Sequence, residues 1–156
     1  MNNLSNAELT NMYIGGLKDD DGPGAVDEIG FIEEIQPHVL AQSSLMRFIH
    51  NGNDYYGANV SASLSVGNKL KAYSGLGGFV ARLEDCRYEL KTNNETNEKT
   101  NETTCTEDYT IGLYPEVGVL LTILKASVGI YGRYYKTYDD EANEYGMMGF
   151  KLAYKF

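Results

Sequence analysis

The chain of 156 residues carries 13 Lys and Arg against 22 Asp and Glu, which gives a formal net charge of −9. This balance disfavours nucleic-acid binding, because neutralising phosphates requires basic patches. Glycine (17) and tyrosine (13) are abundant and proline (3) is scarce, a composition typical of all-β proteins. The length favours a single domain over residues 1–156.

Neither a membrane-spanning helix nor an export signal is evident in the sequence. The longest apolar run, Val117–Leu124, is much shorter than the run of about 18 residues that a spanning helix needs. The first ten residues lack the basic and apolar regions of a signal peptide. If the protein is exported, we expect its signal peptide to have been removed from this chain.

The first fifty residues predict three strands. Residues 11–18 form a short strand that is followed by an acidic loop beginning at Asp19. Residues 28–50 are expected to hold two further strands joined by a turn near 41–44. Alternation is poor in this region, and Pro37 cannot donate a hydrogen bond to a ladder.

From residue 54 onward, apolar and polar residues alternate with a period of two, which predicts β-strands. Strands are expected at 54–66, 70–83, 108–122 and 125–138, and from 145 to the end, which makes eight in all. Short turns at 67–69 and 123–124 alternate with longer polar loops at 84–107 and 139–144. The sequence thus predicts an antiparallel array with short connections at one end and long ones at the other.

The length of these strands indicates a closed barrel. Strands of about 12–15 residues exceed the usual five or six and suit a transmembrane barrel, in which about 9–11 tilted residues cross the hydrocarbon. A soluble lipocalin-like barrel would show the same alternation but turn its apolar face inward. The polar face here consists mainly of Gly, Ser, Asn, Thr and Tyr, which favours a narrow polar interior. The few charges predicted to point into it are Lys71, Glu116, Lys125, Arg133, Lys151 and Lys155.

The last strand carries the most specific pattern in the chain. It alternates to the final residue, with Phe150, Leu152, Tyr154 and Phe156 on one face. Together with "GLGGF" at 75–79, this pattern resembles the small eight-stranded outer-membrane barrels of Gram-negative bacteria, the type of outer membrane protein X and the membrane domain of outer membrane protein A. Tyrosines stand near predicted strand ends, where such barrels have an aromatic girdle, at Tyr55, Tyr56, Tyr109, Tyr134, Tyr138 and Tyr145.

The resemblance implies a fold, a location and partners. It implies an all-β, transmembrane, antiparallel up-and-down barrel of eight strands in the bacterial outer membrane, present as a monomer. Phe150, Leu152, Tyr154 and Phe156 would form the signal that the outer-membrane assembly machinery reads. Outer-membrane lipids and lipopolysaccharide would surround the barrel, and an extracellular or host ligand would meet its loops.

The two cysteines flank the longest predicted loop. If strands 70–83 and 108–122 pair, Cys86 and Cys105 lie at the same rim, so a disulfide closing the extracellular loop 84–107 is expected. A disulfide also implies an oxidising compartment. The alternative, a pair of redox-active thiols, lacks the C-x-x-C spacing.

No catalytic, cofactor or metal motif stands out. The acidic loops at 19–21 and 139–141 do not follow the calcium-loop pattern D-x-[DN]-x-[DN]-G, so no metal ligand is assigned. We expect a non-enzymatic barrel that presents acidic loops for adhesion, contact with a host or the environment, or envelope integrity. The alternative is a lipid A-modifying enzyme, for which His50 with Asp54 would be the candidate acid/base pair; neither His50 nor His38 is followed by the serine of a His-x-Ser arrangement.

Overall fold

The computed structural model describes residues 11–19, 22, 24–50, 53–138 and 144–156. At residues 50, 84–89, 91, 102, 104, 106 and 145 it describes the backbone alone. The described residues form eight strands: β1 Asn11–Lys18, β2 Ala25–Gln36, β3 Val39–His50, β4 Asn53–Val66, β5 Leu70–Thr92, β6 Lys99–Ile123, β7 Ala126–Thr137 and β8 Glu144–Lys155. In the part of the chain that the structure describes, no helix is long and apolar enough to cross a membrane.

The strands close into a barrel. Each strand pairs antiparallel with the next, and β1 pairs with β8, for example Ile14 with Leu152. Among the described strands none is an edge strand, because each pairs with two neighbours. The up-and-down order places both ends of the described chain beside the turns at 37–38, 67–69 and 124–125, and the connections at 19–24, 51–52, 93–98 and 138–143 at the opposite end. We call these the turn end and the loop end.

The apolar face of the barrel points outward. Every strand contributes an exposed apolar residue to the outer surface: Ile14, Phe31, Leu45, Val60, Leu76, Ile111, Val128 and Phe150. Every strand also sends a buried polar or tyrosine side chain inward: Tyr13, Glu28, Gln42, Asn59, Tyr73, Glu116, Arg133 and Lys151. This orientation is that of a transmembrane barrel and opposite to that of a lipocalin. The fold class expected from the alternation is confirmed.

The turn between β2 and β3 lies at Pro37–His38 and not near 41–44, so that prediction was wrong. Proline fixes φ at the first central position of a turn, and His38 takes the left-handed conformation at the second, with φ 71°. The backbone N–H of His38 donates to Glu34 Oε1 (3.0 Å) and the ring Nδ1 lies 3.1 Å from the Ser65 carbonyl oxygen. These contacts hold a conformation that a non-glycine residue rarely adopts.

The segment 84–107, expected as an irregular polar loop, is a β-hairpin. β5 and β6 stay paired from Leu70–Leu121 to Thr92–Lys99 without a register shift. The ladder that pairs β5 with β6 in the barrel wall continues into this segment, whose threonines suit a strand. Only residues 93–98 form the connection, where Asn97 has φ 54° and the Asn93 N–H donates to the Glu98 carbonyl oxygen (3.1 Å).

Candidate functional site

A buried arginine bridges two carboxylates at the centre of the barrel. Arg133, on β7, donates from Nη1 to Glu28 Oε2 (2.8 Å) and from Nη2 to Glu28 Oε1 (2.9 Å). Its Nε donates to Glu116. The three side chains are buried and come from three strands, β2, β6 and β7. The planar guanidinium suits this arrangement, because its fork of donors matches a carboxylate in a bidentate pair.

A second cation balances the second carboxylate. Lys151 Nζ on β8 lies 3.2 Å from Glu116 Oε1 and also donates to Gln42 Oε1 (2.5 Å) and to the Tyr73 hydroxyl (3.1 Å). Gln42 Nε2 returns a hydrogen bond to Glu116 Oε1 (2.9 Å). Two carboxylates thus face two cations, and the network carries no net formal charge. Buried charges are tolerated when they are paired and hydrogen-bonded in this way.

Tyrosine rings enclose the two cations. The guanidinium carbon of Arg133 lies 4.5 Å from the ring centre of Tyr114, and Lys151 Nζ lies 4.3 Å from that of Tyr131. Both distances suit cation–π contacts. The Tyr131 hydroxyl donates to Glu28 Oε1 (2.8 Å), and the Tyr114 hydroxyl donates to Asn59 Oδ1 (3.0 Å). Rings and charges together fill this section of the barrel with packed side chains.

The structure distributes the six predicted interior charges over three environments. Glu116, Arg133 and Lys151 are buried in the central network. Lys71 and Lys155 are half-buried towards the turn end. Lys125 lies in the turn between β6 and β7 and is exposed, so its placement in the interior was wrong. The predicted strand began one residue too early, at Lys125, whereas β7 begins at Ala126.

Sequence reasoning missed Glu28 and Gln42, which are central to the network. Both lie in the region whose turn was misplaced. The signal that could have found Glu28 is its position between Val26 and Gly30, which puts an acid on the inward face of β2. An isolated acid at an inward position of a barrel strand requires a buried cation from another strand.

The β5–β6 hairpin rises beyond the barrel wall. β4 pairs with β5 only as far as Leu83, and β7 pairs with β6 only as far as Gly112. Nine residues of β5 therefore extend past the β4 ladder, which at about 3.3 Å per residue is roughly 30 Å. At its base, Arg82 forms an ion pair with Glu107.

The backbone register sets the two cysteines directly opposite each other in this hairpin, as the pair Cys86–Cys105. The side chain of Cys86 lies outside those that the structure describes, so the disulfide stays a prediction. His50, the candidate base of the enzymatic alternative, is likewise described only by its backbone. His38 lies at the turn end, in the β2–β3 turn.

Aromatic side chains mark both ends of the outer surface. At the loop end, Tyr56, Tyr109 and Tyr134 are exposed. At the turn end, Tyr154 and Phe156 are exposed and their rings meet edge to face, 5.3 Å apart. Of the predicted assembly residues, Phe150, Leu152, Tyr154 and Phe156 all face outward. Their role in assembly stays a prediction.

Charged groups also pair at the loop-end rim. The Tyr134 hydroxyl donates to Glu144 Oε2 (3.0 Å), and Lys136 Nζ lies 3.3 Å from Glu144 Oε1. These hydrogen bonds, Tyr134 first, lower the pKa of the Glu144 carboxyl below its usual value. Among the described residues there is no group of three or more His, Cys, Asp or Glu placed to hold a metal ion.

These features define a class of protein: a transmembrane, eight-stranded antiparallel barrel with an outward apolar band and a charge-paired interior. Comparison with solved structures confirms that the fold is that of small outer-membrane barrels. The structure is similar to the N-terminal β-barrel domain of Pseudomonas aeruginosa OprF, with a TM-score of 0.63, 9% identity, and coverage of 94% of this chain and 96% of that one.

It is also similar to Neisserial surface protein A (NspA), with a TM-score of 0.61, 15% identity, and coverage of 94% of each chain. No protein-family model and no curated protein sequence matches the chain. At these identities the likeness establishes the fold alone. Function must be argued from the chain's own residues.

Proposed function

We propose that this protein is a non-enzymatic outer-membrane barrel that holds the β5–β6 hairpin away from the membrane as a contact surface. The barrel serves as a rigid support, and the hairpin with its neighbouring acidic loops meets a ligand, a host surface or another envelope component. Adhesion is the activity that this shape suits best. The observation that carries the proposal is the reach of the hairpin beyond the wall.

Strand length distinguishes the hairpin from the rest of the barrel. β5 and β6 have 23 and 25 residues, whereas β4 has 14 and β7 has 12. The shorter strands already suffice for a membrane, which about 9–11 residues cross. The additional length of β5 and β6 therefore has no role in spanning. A paired ribbon that projects past the membrane can present side chains to an outside partner.

A two-stranded ribbon is marginally stable in water by itself, and we propose that a Cys86–Cys105 disulfide supports it. Directly opposite residues in an antiparallel pair have Cα atoms about 4.5 or 5.5 Å apart, and both distances lie within the range of disulfides. The register therefore needs no backbone movement to allow the bond. An oxidising compartment outside the cytoplasm would favour it.

The proposal includes a location and an orientation. We place the barrel in a bacterial outer membrane as a monomer, with its turn end in the periplasm and its loop end outside, as short and long connections are arranged in such barrels. Outer-membrane lipids and lipopolysaccharide would surround the exposed apolar band. The assembly machinery would read the last strand, including Phe150 and Phe156.

The experiment replaces residues 87–104 by an Asn-Gly turn in the protein expressed on a Gram-negative host. The variant keeps every residue that pairs with β4 or β7. Cells that carry the full chain and cells that carry the variant are compared for adherence to cultured epithelial monolayers and to a bare surface. We expect the shortened hairpin to reduce adherence to the level of cells without the protein.

Heat-modifiable migration in detergent must be retained by the variant, which shows that the barrel still folds. Sensitivity to bile salts, measured on the same cells, separates a contact role from a role in envelope integrity. Equal adherence of the full-length and shortened forms would refute presentation by the hairpin. Altered lipid A on expression of the full chain would instead support the enzymatic alternative.

A further inference from the structure

The barrel opens at its turn end into a blind recess with a volume of about 210 Å³. β-strands and short turns from all sides surround it, and it lies at the opposite end from the hairpin. Its lining combines lysines, one glutamate, hydroxyl side chains and apolar side chains. A recess of this size is smaller than the sites of about 300–1,000 Å³ that hold drug-sized molecules.

The recess is cationic, although the whole chain has a net charge of −9. Three lysines line it, against a single glutamate. Lys71 Nζ lies 2.6 Å from Glu34 Oε2, so these two charges neutralise each other. Lys125 and Lys155 form no ion pair with any residue that the structure describes, which leaves two positive charges at the opening. Like charges placed together are unfavourable unless an anion offsets them.

The backbone holds these two lysines beside each other. The N–H of Lys155, on β8, donates to the carbonyl oxygen of Lys125, in the β6–β7 turn (2.7 Å). Neutral hydrogen-bonding groups stand nearby, since the hydroxyls of Thr122 and Ser127 lie 2.8 Å apart and both residues line the recess. Ammonium and hydroxyl groups on one wall are donors that suit an oxyanion.

The inner end of the recess is apolar. Ile32, Leu40, Leu120 and Ala153 are buried and line it. They separate it from Lys151 and the central network, which do not take part in its lining. Charges beside an apolar floor act through a lower dielectric constant than in open water. The recess is therefore a site distinct from the central network.

We propose that this recess binds the phosphate group of a small anion between Lys125 and Lys155. Lysine ammonium groups are common phosphate ligands, and the Thr122–Ser127 pair adds the one hydroxyl hydrogen that their mutual hydrogen bond leaves free. The phosphate has two sources at a membrane surface, a free phosphate ion and the headgroup of an anionic lipid of the adjoining leaflet. The inference does not use the hairpin, so it stands or falls independently of the proposed function.

The test uses the full chain refolded in an uncharged maltoside detergent and followed by amide NMR. Inorganic phosphate is titrated at constant ionic strength, with chloride as the matched control. In a second arm, phosphatidylglycerol is added to the detergent in place of phosphate. We expect saturable shifts confined to the amides of residues 122–128 and their neighbours in the recess. The K125Q/K155Q variant is expected to bind at least about tenfold more weakly.

The control variant is Lys136→Gln, which removes a lysine at the loop end and should leave binding unchanged. Saturation by phosphate identifies the free ion as the source, and saturation by phosphatidylglycerol alone identifies the headgroup; either outcome supports the site. The proposal is overturned if neither ligand saturates, if chloride reproduces the shifts, or if K125Q/K155Q binds as the parent does. Heat-modifiable migration confirms that each variant is folded.

Discussion

Arg133 and Glu28 meet across the barrel through two parallel hydrogen bonds of 2.8 and 2.9 Å, although they lie 105 residues apart in the chain. The same guanidinium also donates to Glu116, so one side chain links β2, β6 and β7. Removing it would leave two buried carboxylates, and Lys151, which pairs with Glu116, would be the cation remaining in the described part of the network. The stability of the barrel should therefore depend strongly on this residue.

We expect Arg133→Met to lower the free energy of unfolding by about 3–5 kcal/mol, because it strands a buried charge. The matched control is Arg47→Met, which breaks a pair with Asp54 in which both side chains are more than 40% exposed. That change should cost about 1 kcal/mol or less. Urea unfolding in lipid vesicles, followed by far-UV circular dichroism because the chain has no tryptophan, measures both. Equal losses of unfolding free energy in the two variants would show that the buried ion pair stabilises the barrel no more than the exposed one does.

The stabilising effects of Lys151 and Glu116 should be energetically coupled, because the two side chains form a buried ion pair. Lys151→Met leaves Glu116 with one charged partner, and Glu116→Gln leaves Lys151 without its ion pair. Each single change should be destabilising, whereas the double variant should lose at least about 1 kcal/mol less than the sum of the two. The same unfolding assay, run as a double-mutant cycle, measures this coupling. Strict additivity would contradict it.

Two adjacent glycines of β5 should differ sharply in their tolerance of alanine. A Cβ at Gly77 would lie 2.3 Å from the ring of Tyr114, which is buried, whereas a Cβ at Gly78 would lie 3.4 Å from a methyl group of Leu113 on the outer face. We expect Gly77→Ala to destabilise the barrel by about 1–3 kcal/mol through overpacking. Gly78→Ala should be close to neutral. The yield of heat-modifiable protein after refolding measures this difference. A lower yield for Gly78→Ala than for Gly77→Ala would disprove the inward placement of Gly77.

The predicted disulfide can be tested chemically. Trypsin sites at Arg87, Lys91 and Lys99 lie between the two cysteines, so cleavage there should leave fragments that separate only after reduction. A disulfide that closes a loop of this size contributes about 3 kcal/mol of stability. The double variant Cys86→Ser, Cys105→Ser should therefore be cleaved faster in the hairpin. Its heat-modifiable migration in detergent, which reports the folded barrel, should stay unchanged. Separation of the fragments without reductant would show that the cysteines are not bonded.

Leu124 offers a test of backbone strain. It takes the left-handed conformation, with φ 58°, in the β6–β7 turn and is 95% exposed, so replacing it sacrifices little burial. Leu124→Gly should therefore stabilise the barrel by up to about 1 kcal/mol, because glycine adopts this conformation without a steric penalty. Leu124→Val should destabilise it, since a β-branched residue fits this region poorly. The urea concentration at the midpoint of unfolding measures the stability of both variants. Midpoints identical to that of the parent protein would argue against backbone strain at Leu124.

The strands of the second half could be predicted from the sequence because each face of the wall meets a different environment. On β6, Ile111 and Val117 face outward while Tyr114 and Glu116 face inward, as the period of two predicts. On β2 and β3 the signal was weaker, since residues such as Ile32, Leu40 and Phe48 make the inward face apolar as well. The turn at Pro37 was therefore misplaced by several residues.

The hairpin shows a different limit of sequence reasoning. The composition of 84–107 predicts an irregular loop, because polar residues bury too little surface to order a chain alone. Its strands are nonetheless paired, because the barrel holds the bases of β5 and β6 in register. A local sequence cannot reveal order that is imposed by neighbours.

Alternation, strand length and the final aromatic strand by themselves determined that this chain forms an eight-stranded barrel with its apolar face outward. These are local properties, and each strand carries its own copy of the pattern. Only the tertiary structure decided which charges meet, because closure brings Glu28, Glu116, Arg133 and Lys151 together from four strands. The pairing of β7 with β8 likewise sets Lys125 and Lys155 side by side at one recess. The positions of buried charges follow from the register between distant strands, and no single stretch of sequence encodes that register.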